Sequence, residues 1–278
     1  MLQKPLWTKR STVTVIGAGA VGKSLVKALR NQGFSDCRLV GRGSSPDRRF
    51  AHQLRIEYYS DLSKIIQNNG IILITVQDLQ IHTVIEELTG FALPWKRLTV
   101  FHTSGVLGPE PLRPLARRGA AVAAWHPYQT FPKKSSAVPL PGVTFGITGN
   151  PPGEAAAVKL TRILGGQPIR IPARKRVLYH ASAVFACGFV AANLQVAIKL
   201  LQECGLSEQP ARQAALVIAR QTAANVETLG ADRAVTGPAV RGDRETMRKH
   251  VQEIKKFDPQ LAAVYREFSQ LIGKTTGK

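Results

Sequence analysis

The chain has 278 residues, 44% hydrophobic and 20% charged, with 24 glycines and 17 prolines, a balance that excludes a disordered chain and leaves room for one large domain or two ordinary ones. Lysine and arginine number 38 against 18 acidic residues, a formal charge of +20 split almost evenly, with 19 basic and 8 acidic residues through position 150. A basic field of this kind attracts small anions. The short clusters Arg48-Arg49, Arg117-Arg118, Lys133-Lys134 and Arg174-Lys175-Arg176 lack the interleaved aromatics of a nucleic-acid surface, so no specific nucleic-acid partner is expected.

Residues 1–10 contain no apolar core of signal-peptide length. Val13 to Ile16 is a β-branched run that passes directly into Gly17-Ala18-Gly19-Ala20-Val21-Gly22, and a helical pattern follows through Leu25, Val26 and Leu29 to Gly33. In a G-x-G-x-x-G so flanked, the first glycine permits a tight turn and the second lets the backbone approach a pyrophosphate. The third lets the helix pack close on its strand, and the helix N-terminus offers free N–H groups to phosphate. The segment Gly17 to Gly22 is therefore expected to bind a dinucleotide. Cys37 to Val40 is a second strand, and it ends at Gly41-Arg42-Gly43-Ser44-Ser45, where an NAD site would carry an acid for the ribose hydroxyls. A guanidinium and two hydroxyls suit a 2′-phosphate, so Gly41, Arg42, Ser44 and Ser45 are assigned to NADP.

Further strands are expected at Gly70 to Val76, Leu98 to Phe101, Ala120 to Ala124, Val143 to Ile147 and Ile169 to Ile171, with helical patterns at Ile81 to Leu88 and Glu154 to Leu164. This alternation predicts an α/β fold with a doubly wound, mainly parallel sheet, whose ligands bind outside the carboxyl ends of the strands. Val76, His102 and Ser104 stand at that edge and are added to the cofactor site. Beyond Pro172 only helical patterns remain, over Arg174 to Cys204, Pro210 to Leu229, Arg244 to Phe257 and Pro259 to Ile272. The chain is thus read as an NADP-binding Rossmann domain, residues 1–172, and a helical substrate or dimerisation domain, residues 173–278, with the active cleft expected between them. The apolar stretch Ala181 to Leu201 is interrupted by Asn193, Gln195 and Lys199 and does not read as a membrane span. Its small residues suit close helix packing, within the subunit or across a homodimer. Cys37, Cys187 and Cys204 form no C-x-x-C and lie in apolar patterns, so buried reduced thiols of a cytoplasmic protein are expected, with no metal site.

GAGAVG at 17–22, HTSGVLG at 102–108, HPYQTF at 126–131, R-x-x-YHASAVFA at 176–186 and TGPAVRGD at 236–243 occur in this order. In these motifs the chain resembles, over nearly its whole length, a family of Rossmann-like NADP oxidoreductases whose C-terminal half is a domain of unknown function. That family looks like a branch of the 6-phosphogluconate dehydrogenase-like enzymes and includes ketopantoate reductases of the PanG type. The resemblance implies hydride transfer from NADPH to a small keto acid or imine. Prephenate- or pyrroline-carboxylate-type dehydrogenases are an alternative, because a His-Pro turn after a Rossmann strand also occurs there. Gln77 departs from the family pattern, and so does Gly188, where the family usually carries Asn. The second departure leaves a non-catalytic NADP sensor as a further alternative.

Reduction of a carbonyl needs a proton donor and a group to hold the substrate carboxylate. His180 is the expected donor by residue type, with a backbone-satisfied packing histidine as the competing reading. His126 precedes Pro127 and is expected in a structural turn rather than in catalysis. Asn225 and Arg241 are expected to complete the cleft, Arg241 as the carboxylate clamp.

Overall fold

The computed structural model describes residues 7–64, 69–132 and 137–275. Lys133-Lys134 and the first six residues, which formed part of the expectations above, lie outside the described residues. Two compact units divide the chain at Gly188, later than the expected break at Pro172.

The first unit contains an eight-stranded sheet of order β3-β2-β1-β4-β5-β6-β7-β8. Its strands are β1 (Thr12–Ile16), β2 (Cys37–Val40), β3 (Glu57–Tyr59), β4 (Gly70–Ile74), β5 (Leu98–His102), β6 (Ala121–Pro127), β7 (Thr144–Gly149) and β8 (Gln167–Arg170). Strands β1 to β6 pair in parallel, β7 is antiparallel to β6, and β8 is parallel to β7. The connecting helices are α1 (Ala20–Asn31), α2 (Ser45–Gln53), α3 (Asp78–Thr89), α4 (Arg113–Arg117) and α5 (Pro151–Ile163). The central strands are covered on both faces, which is why β4 reads as the unbroken apolar run Gly-Ile-Ile-Leu-Ile, buried throughout. Leu25 and Leu29 of α1 and Leu160 of α5 share one core with Val13, Val15 and Leu73. Ile81 and Ile85 of α3 share the other with Ile72, Ile74 and Val100. Side chains on a strand alternate between faces, so neighbouring residues of β4 serve different cores.

Asn150 caps α5: its Oδ1 accepts from the N–H of Gly153 at 2.9 Å and of Val122 at 3.0 Å. All three tryptophans, Trp7, Trp95 and Trp125, are buried in this unit. Trp125 stacks on Phe145 at 4.6 Å and donates its indole N–H to Thr161.

The helix α6 (Arg176–Ala183) and a single π-helical turn (Val184–Gly188) close the first unit. α6 belongs to this unit, and two of its side chains reach β7. Arg176 Nη1 donates to Thr148 Oγ1 at 3.1 Å, and Tyr179 lies over Gly146, where a Cβ would stand 2.5 Å from the ring. The expected boundary missed this because the pattern beyond Pro172 is purely helical, and a helix carries no mark of the sheet it packs on.

The second unit consists of α7 (Phe189–Glu203), α8 (Glu208–Leu229), α9 (Ala231–Ala234), α10 (Pro238–Arg241), α11 (Arg244–Phe257) and α12 (Pro259–Thr275). Its buried apolar residues are Ala211, Ala215, Ala234 and Ala262 among the described residues. Residues 173–203 form a stretch long and apolar enough, by length and composition alone, to cross a membrane, and none of its apolar window is buried. Cys37 is buried, and burial pushes its thiol up to about 12. Cys187 and Cys204 are exposed, which corrects the expectation of three buried thiols; both lie on that uncovered stretch or just beyond it.

Candidate functional site

A cavity of about 770 Å³ opens at the carboxyl ends of β1, β2 and β4. Gly17, Ala18 and Gly19 form one wall, and Thr75 and Val76 continue it past β4. Gly17 takes φ +115°, the left-handed region that a side chain resists, and a Cβ there would stand 2.8 Å from the Thr75 backbone. Thr75 Oγ1 donates to Gly17 O at 2.8 Å and holds the turn against β4. A Cβ on Gly19 would meet nothing within 4 Å, so the backbone there is open to a ligand.

Gly41, Arg42 and Ser44 line the opposite corner. The Gly43 N–H donates to Tyr58 Oη at 2.8 Å, and Arg48 lies over the Tyr58 ring at 5.4 Å, bracing this turn. Arg42 is exposed and makes no hydrogen bond or ion pair among the described residues. Two carboxylates that sequence reasoning left out of the corner, Asp47 and Asp61, line it as well. The backbone cradle, with the Arg42 guanidinium and the Ser44 hydroxyl at its far corner, fits a dinucleotide with an added phosphate. Ala20, Val21 and Gly22 stand behind the cavity as the first turn of α1, and Ser45 opens α2; none of them lines it. Gly22 serves close packing, since a Cβ there would fall 2.0 Å from Gly17 O.

His102 and Ser104 do not line this cavity either, and both are buried. His102 Nε2 meets Gly108 O at 2.8 Å and its Nδ1 accepts from the Ser104 N–H, which makes the ring a brace for the loop after β5. Burial holds its pKa down at about 4. Ser104 Oγ donates to Asp78 Oδ2 at 2.8 Å and accepts from the N–H of Leu107 at 3.0 Å, so its donor is already committed.

Beyond that loop, at the ends of β5 and β6, a polar cluster gathers around Gly105. A Cβ on Gly105 would stand 2.3 Å from His180 Cδ2 and 2.9 Å from His126 Nε2. The two imidazoles lie 5.9 Å apart, centroid to centroid. His126 Nδ1 meets Tyr179 Oη at 3.0 Å; with the phenol donating, Nε2 carries the imidazole proton and lies against Gly105. Burial first, then the Arg176 and His180 charges, holds His126 down at about 3, and burial lifts the Tyr179 phenol to about 12. Arg176 is fully buried, donates from Nη2 to Ser104 O at 2.6 Å, and leaves its Nε without a partner. His180 is half-buried and makes no hydrogen bond among the described residues. Among the described residues no backbone group satisfies it, while its ring packs against Gly105 and His126. Sequence reasoning missed Arg176 and Tyr179, although both lie in the motif Arg176 to Ala186.

Asn225 and Arg241 lie in the second unit. Asn225 Oδ1 accepts from Gln221 on an exposed face of α8, and Arg241 ends the short α10, exposed. Asp243, next but one, caps α11 by accepting from the Thr246 N–H at 3.0 Å.

His102, buried, and His126, partly buried, make stability depend on pH. Unfolded, each titrates near 6.5; folded, His102 stays neutral to about 4 and His126 to about 3. Below pH 6.5 the unfolded chain binds more protons, so stability is full above that pH and is lost as pH falls toward the folded values. By pH 5 the loss should be about 2 kcal/mol for each histidine. Urea midpoints at pH 7.5 and 5.0 check this, and His126→Asn should reduce the difference; equal midpoints would mean that both rings protonate freely in the fold.

Together, the parallel strands, the glycine turn and the ligand edge define a Rossmann-type dinucleotide fold followed by a helical region. Residues 3–127 match the model of a Rossmann-like domain, and residues 143–272 match that of a domain of unknown function, DUF2520. The chain is similar to a provisionally assigned NADP oxidoreductase of Bacteroides fragilis, with a TM-score of 0.79 and 22% identity over 96% of this chain and 99% of that one. It is also similar to a pyrroline-5-carboxylate reductase of Coxiella burnetii, with a TM-score of 0.63 and 14% identity over 94% and 98% of the two chains. A pyrroline carboxylate reductase of Plasmodium falciparum with NADP bound gives a TM-score of 0.61 and 13% identity over 96% of this chain and all of the other. At these identities the likeness is one of fold. No curated protein sequence matches the chain significantly.

Proposed function

We propose that the protein is an NADP-dependent oxidoreductase that reduces the C=O or C=N bond of a small carboxylate, a keto acid of the ketopantoate kind or a cyclic imine. One observation carries the reading: two imidazoles, those of His126 and His180, converge on Gly105, at the same sheet edge as the glycine cradle. Gly17 to Gly19 would hold the pyrophosphate, and Arg42 with Ser44 the 2′-phosphate. When bound, NADPH supplies the hydride. His180, which makes no hydrogen bond among the described residues, gives the proton to the developing alkoxide or amine, while His126 orients that atom through its Nε2–H. Tyr179 fixes the tautomer of His126, and Arg176 ties α6 to the loop that carries Gly105. Turnover of NADPH on a panel of keto acids and cyclic imines tests the assignment, and no turnover on any member would sink it. A non-catalytic NADP sensor is favoured by one observation, Gly188 in the exposed π-helical turn; binding without turnover would support that second reading.

Arg42→Ala should remove most of the preference for NADPH over NADH, roughly tenfold or more, since one charge-assisted contact to phosphate contributes about 1.5–3 kcal/mol. Fluorescence titration with both cofactors measures it, and equal wild-type dissociation constants would refute the assignment of the corner. The partner we propose for the second unit is another copy of the chain. That unit buries four alanines, while Val217, Ile218, Val264 and Phe268 are exposed. Light scattering should return twice the 30.2 kDa chain mass.

A further inference from the structure

The corner assigned to the 2′-phosphate contains a carboxylate that ought to repel it. Asp47 lines the same wall as Arg42 and Ser44, one turn into α2, and its backbone N–H bonds Ser44 Oγ at 3.3 Å. An acid at such a place normally favours a ribose hydroxyl over a phosphate. Here Lys23 of α1 reaches across and pairs with it, Nζ to Oδ1 at 2.7 Å, with side chains 25% and 15% exposed. The ammonium also lies over the Phe50 ring at 5.5 Å, which fixes its position from a second side.

We propose that Lys23 is a specificity-determining residue: by pairing with Asp47 it offsets that carboxylate's charge in the wall it shares with Arg42, and so allows a 2′-phosphate into a corner that would otherwise select NAD. This rests on the NADP reading above and adds the residue that makes it compatible with Asp47. The other acid of the corner, Asp61, is exposed and points its Oδ1 at the Ser63 N–H, 2.9 Å away, so solvent screens it. Lys23 lies in the first turn of α1, where its backbone N–H donates to Gly19 O at 2.9 Å, and it does not itself line the cavity.

The test is a double-mutant cycle on the full chain, with dissociation constants for NADPH and NADH measured for wild type, Lys23→Gln, Asp47→Asn and the double variant. Lys23→Gln should weaken NADPH by roughly 5–20-fold, the effect of one uncompensated charge several ångströms from the phosphate, and leave NADH within about twofold. In the double variant NADPH affinity should return to within about threefold of wild type. Three outcomes overturn the proposal: NADPH affinity unchanged in Lys23→Gln, equal weakening of both cofactors, or no rescue by Asp47→Asn, which would make Lys23 a direct phosphate ligand. A wild-type protein that binds neither cofactor would instead overturn the dinucleotide reading on which the pair depends. Melting curves of the four proteins, expected to agree closely, separate a binding effect from a folding one.

Discussion

Gly22→Ala is expected to cost at least a hundredfold in NADPH affinity and to lower the melting temperature by roughly 5–10 °C. The added Cβ would fall 2.0 Å from Gly17 O and 2.6 Å from Thr75 Oγ1, neither of which can yield without opening the turn between β1 and α1. Overpacking of this kind typically costs about 1–3 kcal/mol, and in a chain of this size each kcal/mol moves the midpoint by about 2–4 °C. Gly19→Ala is the matched control. Its Cβ meets nothing in the protein, so stability should hold while a ligand laid against that backbone is pushed away. Gly22→Ala that kept both its melting temperature and its affinity would mean that the turn is softer than its contacts imply.

Removing the imidazole at position 180 should lower turnover by about 10²–10⁴ with NADPH affinity unchanged, the range usual for loss of a general acid. Tyr179→Phe should act more weakly and differently. It removes no group that meets substrate, but it frees His126 to exchange its two tautomers, so turnover should fall while the Michaelis constant moves little. A third variant guards against misreading: Gly105→Ala places a methyl between the two rings and should abolish turnover without touching the cofactor cavity. If His180→Ala melts early yet turns over normally per folded molecule, the histidine is packing and His126 or a water gives the proton.

The central βαβ unit was legible because its strands are apolar throughout and its glycines sit between a strand and a helix, so local pattern and tertiary role coincide. α2 and β3 were not. α2 buries only Ala51 and reads as a solvated basic turn, and β3 is a three-residue strand at the sheet's rim. The cavity wall was largely readable at Gly17 to Gly19, Gly41, Arg42, Ser44 and Val76, because it follows strand ends. Ser104 and His102 were the harder cases: residue type suggested donors to a ligand, whereas Asp78 and Gly108, distant or hidden in loop geometry, had already claimed them. Tyr179 and Arg176 depended on two side chains of a helix reaching β7 about thirty positions earlier, a relation with no periodicity to betray it.

The placement of the three tryptophans sets what an optical experiment sees. Trp7, Trp95 and Trp125 all lie buried in the sheet-bearing unit, and residues 189–278 contain none. Intrinsic emission therefore follows the melting of the sheet alone, while far-ultraviolet dichroism is weighted toward the helices of the other half. Superimposable curves from the two signals would make the chain one cooperative body; separated curves would resolve two transitions without cutting the chain or labelling it.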